Sequence, residues 1–187
     1  MMWRLFSSKD GKTAGAMAHS AAILYRATVE QARQPVFYAA YDVPDTLDGR
    51  FELIALHMFF VLHRLKIDDP AAQQLSQDLF DTMFGDMDRS LREMGVADLG
   101  VGRRIRAMAE ALYGRMAAYE AGLAADDGVL AAALRRNLYG TVRDTEPPAA
   151  ALAAICGYVR ATVRDLAAQP LQRLMAGDVI FPAVPVL

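Results

Sequence analysis

Three side chains of this sequence form a regular row of cationic and titratable groups. Arg50, His57 and Arg64 follow one another at intervals of seven residues, nearly two helical turns, so a helix places them on one face. The positions around them are apolar, and a guanidinium group beside apolar surface needs a carboxylate or carbonyl partner. The row is either an internal ion-pair network that fixes helix register or the polar lining of a groove for a partner. The carboxylates we expect to pair with it are Asp88, Glu93 and Asp98.

A second candidate is a pair of glycines before a basic stretch, in the segment Gly100-Val-Gly-Arg-Arg104. If a helix begins here, its first N–H groups and its dipole would favour a bound anion. The segment lacks the lysine and the Ser/Thr of a phosphate-binding loop. Two interpretations follow, a structural turn and an anion site. The second would make the protein a helical regulatory module for a small molecule or an anion.

Groups suited to catalysis or metal binding are scarce. The sequence contains neither a His-Glu-x-x-His pattern nor a Gly-x-Ser-x-Gly pattern, and its one cysteine, Cys156, has no histidine close in sequence. The acidic residues near Asp86 do not have the spacing of a calcium loop. The sequence therefore predicts no enzyme, no metal site and no cofactor.

Composition narrows the class of protein further. The chain has 187 residues, of which 54% are hydrophobic and 22% are charged, which is typical of one folded domain and excludes wholesale disorder. The net charge of −2 lacks the basic footprint of a nucleic-acid-binding protein, so no nucleic-acid partner is predicted. A single cysteine indicates a reducing compartment, and no apolar run is long enough to span a bilayer.

The elements that must position these groups are helices. Apolar residues recur at helical spacing nearly throughout, which predicts an all-α single domain of six or seven helices over residues 13–187, after a tail at residues 1–12. The predicted helices are 13–33, 47–66, 70–94, a fourth that follows Gly102, 126–138 and 147–168, with one more turn at 170–176.

Three local signals fix parts of this arrangement. The second helix is apolar all round its axis, so we expect it to be central and buried. Either Asp45 or Thr46 should cap it, and Asp69 before Pro70 is a start signal for the third helix. Gly95 is a stop signal. Residues 179–182 are extended and apolar, and we expect them to pack back on the body.

Three motifs resemble the ubiquinol–cytochrome c chaperone family. They are the run Asp48–His57 with its continuation His63–Lys66, the segment Leu91–Val96 followed by Asp98-Leu and Val101–Arg104, and Met108–Arg115. The resemblance covers about residues 35–125, and the segment that begins Leu-Arg-Glu-Met-Gly-Val is its most specific part. The motif residues we expect to bind a client are Asp48, Arg50, His57, Arg64, Leu91, Arg92, Glu93, Gly95, Asp98, Arg103, Arg104, Met108, Tyr113 and Arg115.

The resemblance implies an all-helical assembly chaperone for ubiquinol–cytochrome c reductase, without catalytic activity, that holds newly made cytochrome b or another apolar helical client. The chain lacks the long N-terminal targeting extension of mitochondrial members, so it looks like a bacterial, cytoplasmic one. Two interpretations of the tail stay open. It is either disordered or, through Trp3, Leu5 and Phe6, a peripheral contact with the inner membrane.

We also expect an exposed apolar groove between the second, third and fourth predicted helices, beside the cationic row. Methionine side chains suit such a groove because they adapt to different partners. Nearby arginines would meet acidic client loops or anionic lipid head groups. The methionines in question are Met58, Met83, Met87, Met94, Met108 and Met116, and the arginines are Arg92, Arg103, Arg104 and Arg106.

Overall fold

The computed structural model describes residues 11–140 and 146–185, and it confirms the all-α prediction because these residues form helices joined by short connections. No strand occurs within these two ranges. The first ten residues of the predicted tail lie outside them. The helices are α1 (Gly11–Ala32), α2 (Val36–Ala39), α3 (Leu47–Leu65), α4 (Pro70–Glu93), α5 (Asp98–Ala124), α6 (Asp127–Leu134), α7 (Ala149–Ala168) and α8 (Leu171–Met175).

Helix α3 is the central element, as its apolar pattern predicts. Every residue from Glu52 to Leu62 is buried, and α1, α4, α5 and α7 all pack against it. Its first turn is capped by Thr46, whose hydroxyl accepts a hydrogen bond from the N–H of Gly49 at 3.1 Å. A helix that is apolar on all sides is removed from water only if neighbouring elements cover every side.

Helix α4 begins and ends at the predicted signals. The carboxylate of Asp69 accepts hydrogen bonds from the N–H groups of Ala71 and Ala72, and Pro70 occupies the first helical position. Gly95, with a φ of 81°, follows the helix in the left-handed conformation that a residue without Cβ adopts readily. Gly85 does not interrupt the helix.

Two local features differ from the predictions. The segment between the first two predicted helices contains the short helix α2, which seats Phe37 in the core. Helix α6 does not continue to residue 138 as an α-helix, because Arg135–Tyr139 forms a π-helical turn. That turn directs Leu138 and Tyr139 into the core.

The C-terminal segment packs back on the body as expected. The side-chain amide of Gln169 donates to the carbonyl of Ile180 at 2.7 Å and accepts from its N–H at 3.0 Å. Gln31 of α1 donates to the carbonyl of Pro182 at 3.1 Å, and the hydroxyl of Tyr41 donates to that of Pro185 at 2.8 Å. These hydrogen bonds hold the extended segment across α1, α2 and α7. Among the described helices, none is both long and apolar enough to cross a bilayer.

Candidate functional site

A groove lies between the three helices where it was predicted, but of the cationic row only Arg50 lines it. Its floor is the first half of α3, with Phe51 and Ile54, and its walls are the end of α4 and the first half of α5. Leu47 and Arg33 lie at its edge, and its volume is about 640 Å³. A concave site of this size suits the anchor side chains of a helix laid into a groove.

Three of the six expected methionines line this groove, namely Met87, Met94 and Met108. The side chain of Met94 is 52% exposed. The prediction was wrong for Met58 and Met83, which are completely buried, because both point into the core that α3 and α4 share with their neighbours.

One wall of the groove contains a buried ion pair that the sequence analysis missed. Both oxygens of Glu52 accept hydrogen bonds from the guanidinium group of Arg115, and that guanidinium lies 5.9 Å from the centre of the Phe51 ring. The side chain of Glu52 is 3% exposed, and burial raises its pKa while Arg115 opposes the shift. The available signal was an acidic residue between apolar neighbours on a helix predicted to be buried.

A second hollow, of about 570 Å³, is walled by the same three helices at the opposite end of α3. Leu65 and Ile67 lie on the α3 side, and the rings of Phe80 and Tyr113 stack with centroids 5.5 Å apart. Met116 also lines it. Tyr113, a motif residue, therefore lies in this second hollow and not in the groove.

Arg50, His57 and Arg64 do not form one network, and the prediction of their carboxylate partners was wrong. Arg50 is exposed and binds Asp45, with Nε 2.6 Å from the carboxylate. Arg64 donates to the carbonyls of Leu166 and Gln169, both at 3.0 Å, and so covers the end of α7. The three residues of the row form no ion pair with Asp88, Glu93 or Asp98, because each of them has another partner nearby.

His57 is completely buried, so its predicted place in a client-binding row was wrong. Its Nδ1 lies 2.8 Å from the carbonyl of Leu53, which can only accept, so Nδ1 carries the proton. Nε2 then accepts from the hydroxyl of Tyr158 at 2.9 Å, and that hydroxyl accepts from Gln31 at 3.0 Å. Burial lowers the pKa of His57 to about 4, so the ring is neutral at pH 7.

The most specific motif lies at the turn between α4 and α5. Arg92 binds the carboxylates of Asp88 and Asp98 and thereby ties the end of α4 to the start of α5. Leu91 is buried and also lines the groove, whereas Glu93 is exposed. The motif therefore builds the corner from which α5 turns back along the groove. Of the predicted client-binding residues, the groove brings together Asp48, Arg50, Leu91, Arg104, Met108 and Arg115.

The glycine pair does not form an anion site. Helix α5 begins at Asp98, so Gly100 and Gly102 lie within it. The N–H groups of Gly100 and Val101 both donate to the carbonyl of Ala97. A carboxylate, that of Asp98, already occupies the first turn, where an anion would be favoured.

The chemistry of the remaining groups is structural. In the described parts of the chain, no three His, Cys, Asp or Glu side chains are placed to hold a metal ion. Cys156 is buried in α7, and burial raises the pKa of its thiol, which keeps it in the unreactive protonated form.

Comparison with known proteins gives a consistent result. Over residues 39–181, the sequence matches a family model described as ubiquinol-cytochrome C chaperone. The chain is 29% identical over 143 residues to the ubiquinol-cytochrome-c reductase complex assembly factor 1 of Xenopus laevis, covering 76% of this chain and 70% of that protein. It is 30% identical over 107 residues to the mitochondrial protein CBP3 of Saccharomyces cerevisiae, covering 56% of this chain but 32% of the yeast protein.

The fold has a counterpart among solved structures. The crystal structure of the Cbp3 homolog from Brucella abortus matches with a TM-score of 0.78 and 38% sequence identity, over 92% of each chain. The similarity therefore extends over nearly the whole helical body, including the helices that form the groove.

Proposed function

The chain belongs to the ubiquinol–cytochrome c chaperone family, and from that membership we propose that it holds a newly made subunit of ubiquinol–cytochrome c reductase before assembly. The family is one of chaperones and not of enzymes, which agrees with the expectation from the sequence. The proposed client is cytochrome b or another apolar helical segment. The relatives named as assembly factors of the same reductase support a client from that complex.

The observation that carries the proposal is the apolar groove between α3, α4 and α5. It combines adaptable methionines with a rigid floor, because Phe51 is partly exposed on a helix whose residues from Glu52 to Leu62 are held in the core. An apolar helix can seat anchors at intervals of three and four residues in such a groove. Its flexible Met-rich lining tolerates several anchor shapes, which suits a chaperone better than a site for one small ligand.

Deletion of the gene, followed by difference spectra of b-type and c-type haems, tests the function. We expect the reductase haems to fall in the deletion strain and to return with the wild-type gene. Unchanged reductase haems would refute the function while leaving the fold untouched.

Complementation with variants tests the groove. We expect Met94→Gln/Met108→Gln to fail although the protein is present at the wild-type level, because both changes make the groove polar. Val129→Gln is the matched control, since Val129 is 44% exposed on α6 and far from the groove in sequence. Full complementation by the double variant would remove the groove as the site and leave the function standing.

A further inference from the structure

The charges around the groove are mostly neutralised by contacts within the protein. Arg115 is paired with Glu52, and Arg50 with Asp45. Of the other two carboxylates of the groove, Asp86 has partners within the protein, and Asp48 is exposed at the start of α3. Asp86 accepts from the Tyr25 hydroxyl at 2.9 Å and lies 3.7 Å from Arg89, and Asp48 occupies the first turn of α3, where the helix dipole stabilises a negative charge.

Two further arginines line the groove and are not among the groups paired above. Arg33 at the end of α1 and Arg104 on α5 are both exposed, and within residues 11–140 and 146–185 no carboxylate lies within 4.0 Å of either guanidinium. Water solvates them while the groove is empty. An apolar segment laid into the groove would displace part of that water, and the cost falls only if the segment brings a carboxylate.

We infer that the groove selects apolar helices that carry an acidic side chain at one end, with Arg33 and Arg104 as the groups that meet it. This inference rests on the proposed function and specifies its client. A basic side chain beside either guanidinium group would be disfavoured by like-charge repulsion. Acidic flanks would therefore be the feature by which the chaperone distinguishes one apolar segment from another.

The recessed shape of the groove favours a helix over a lipid surface as the occupant. Phe51, the partly exposed apolar residue of its floor, lies between two helices, where a flat bilayer does not reach. A single helix with side chains is about 10 Å across and brings anchor residues to that depth.

Synthetic peptides that share one Leu/Ala helical core test the inference. One set carries Glu-Glu at one end, a second carries Gln-Gln and a third carries Lys-Lys, and binding to the full chain is measured by fluorescence anisotropy. We expect the Glu peptide to bind about tenfold more tightly than the Gln peptide, and the Lys peptide to bind most weakly. High salt should reduce the preference, because the two arginines are exposed.

The variant Arg33→Gln/Arg104→Gln should bind the Glu and Gln peptides equally. Arg136→Gln/Arg164→Gln is the matched control, since it removes two exposed arginines that do not line the groove and should keep the preference. An unchanged preference in the first variant, or equal binding of all peptides by the wild-type protein, overturns the inference.

A vesicle experiment separates this role from lipid binding. Suppose phosphatidylcholine vesicles with phosphatidylglycerol bind the wild type but not the Arg33→Gln/Arg104→Gln variant, while the peptides show no preference. The two arginines then address a membrane, and the inference is wrong. None of these results alters the haem spectra of the deletion strain, so the proposed function stands or falls separately.

Discussion

Helix α3 carries a buried polar side chain on each of two faces, His57 on one and Glu52 on the other. Around His57 the protein is closed, with Tyr158, Phe37 and Phe181 packed against the ring and both ring nitrogens bonded. Around Glu52 it is open on one side, because the Arg115 that binds it also lines the groove. Helix α3 is thus covered by other elements around His57, whereas its face near Glu52 is accessible from the groove.

The difference separates stability from binding within one element. The closed polar centre fixes how α1, α3 and α7 pack, because two of its hydrogen bonds, Gln31 to Tyr158 and Tyr158 to His57, join residues far apart in sequence. The groove face keeps exposed apolar and cationic groups that add little to folding. We therefore expect substitutions near His57 to change stability, and substitutions in the groove to change binding, with the Glu52–Arg115 pair as the exception.

The largest loss of stability is expected when the Glu52–Arg115 ion pair is broken. Arg115→Ala leaves the carboxylate of Glu52 buried without its partner, which costs about 3–5 kcal/mol of unfolding free energy, measured by urea denaturation. The double variant Glu52→Gln/Arg115→Met is the control and should recover most of the loss, because no charge remains buried. A loss below about 1 kcal/mol for Arg115→Ala would show that the pair is solvated in solution.

The second largest effect is expected from acid, which should lower the stability of the protein through His57. The pKa of His57 is about 4 in the folded protein and 6.5 in a free chain, so the unfolded state takes up a proton first as the pH falls. The stabilising contribution is complete above pH 6.5 and is lost between pH 6.5 and 4, amounting to about 3 kcal/mol. His57→Gln does not titrate, so its stability should fall less over this window, and parallel curves would contradict the assignment.

Removal of one hydroxyl compares the closed centre around His57 with an exposed part of the surface. Tyr158→Phe leaves Nε2 of His57 and the amide of Gln31 without their shared partner, and we expect a loss of about 1–3 kcal/mol in urea denaturation. Tyr113→Phe is the matched change at the second hollow, where the side chain is 49% exposed, and should alter stability by less than about 0.5 kcal/mol. Equal losses would mean that the Tyr158 hydroxyl contributes no more to stability than an exposed hydroxyl does.

The smallest effect on stability is expected in the groove itself. Met94→Ala removes a side chain that is 52% exposed, so the unfolding free energy should change by less than about 0.5 kcal/mol. Binding of the Glu-flanked peptide should nevertheless weaken by severalfold, as read from anisotropy. Val129→Ala is the control and should change neither property; a large loss of stability in Met94→Ala would place that residue in the core.

The helices were predictable from local signals because these act over a few residues. The apolar circumference of α3, the cap at Asp69 and the stop at Gly95 each determine one element without reference to the rest of the chain. The start of α5 was predicted a few residues too late, since Gly100 and Gly102 lie inside the helix although glycine more often breaks one.

The site was predictable only in part because its pairings are long-range. Sequence indicated that Met87, Met94 and Met108 face one groove, since all three follow from helical periodicity. It did not indicate that Arg115 meets Glu52, 63 residues away, or that Tyr158 meets His57, 101 residues away. Such partners depend on how helices cross, which no local spacing encodes.

The contact between Phe181 and the His57 ring has a consequence for synthesis of the chain. The ring centroids are 5.8 Å apart, although 124 residues separate the two positions. During translation, α3 leaves the ribosome long before the residue that completes the enclosure of its histidine. The interior around His57 is therefore complete only after residue 181 has been made, and a nascent chain stalled before residue 181 would emerge with that histidine unshielded.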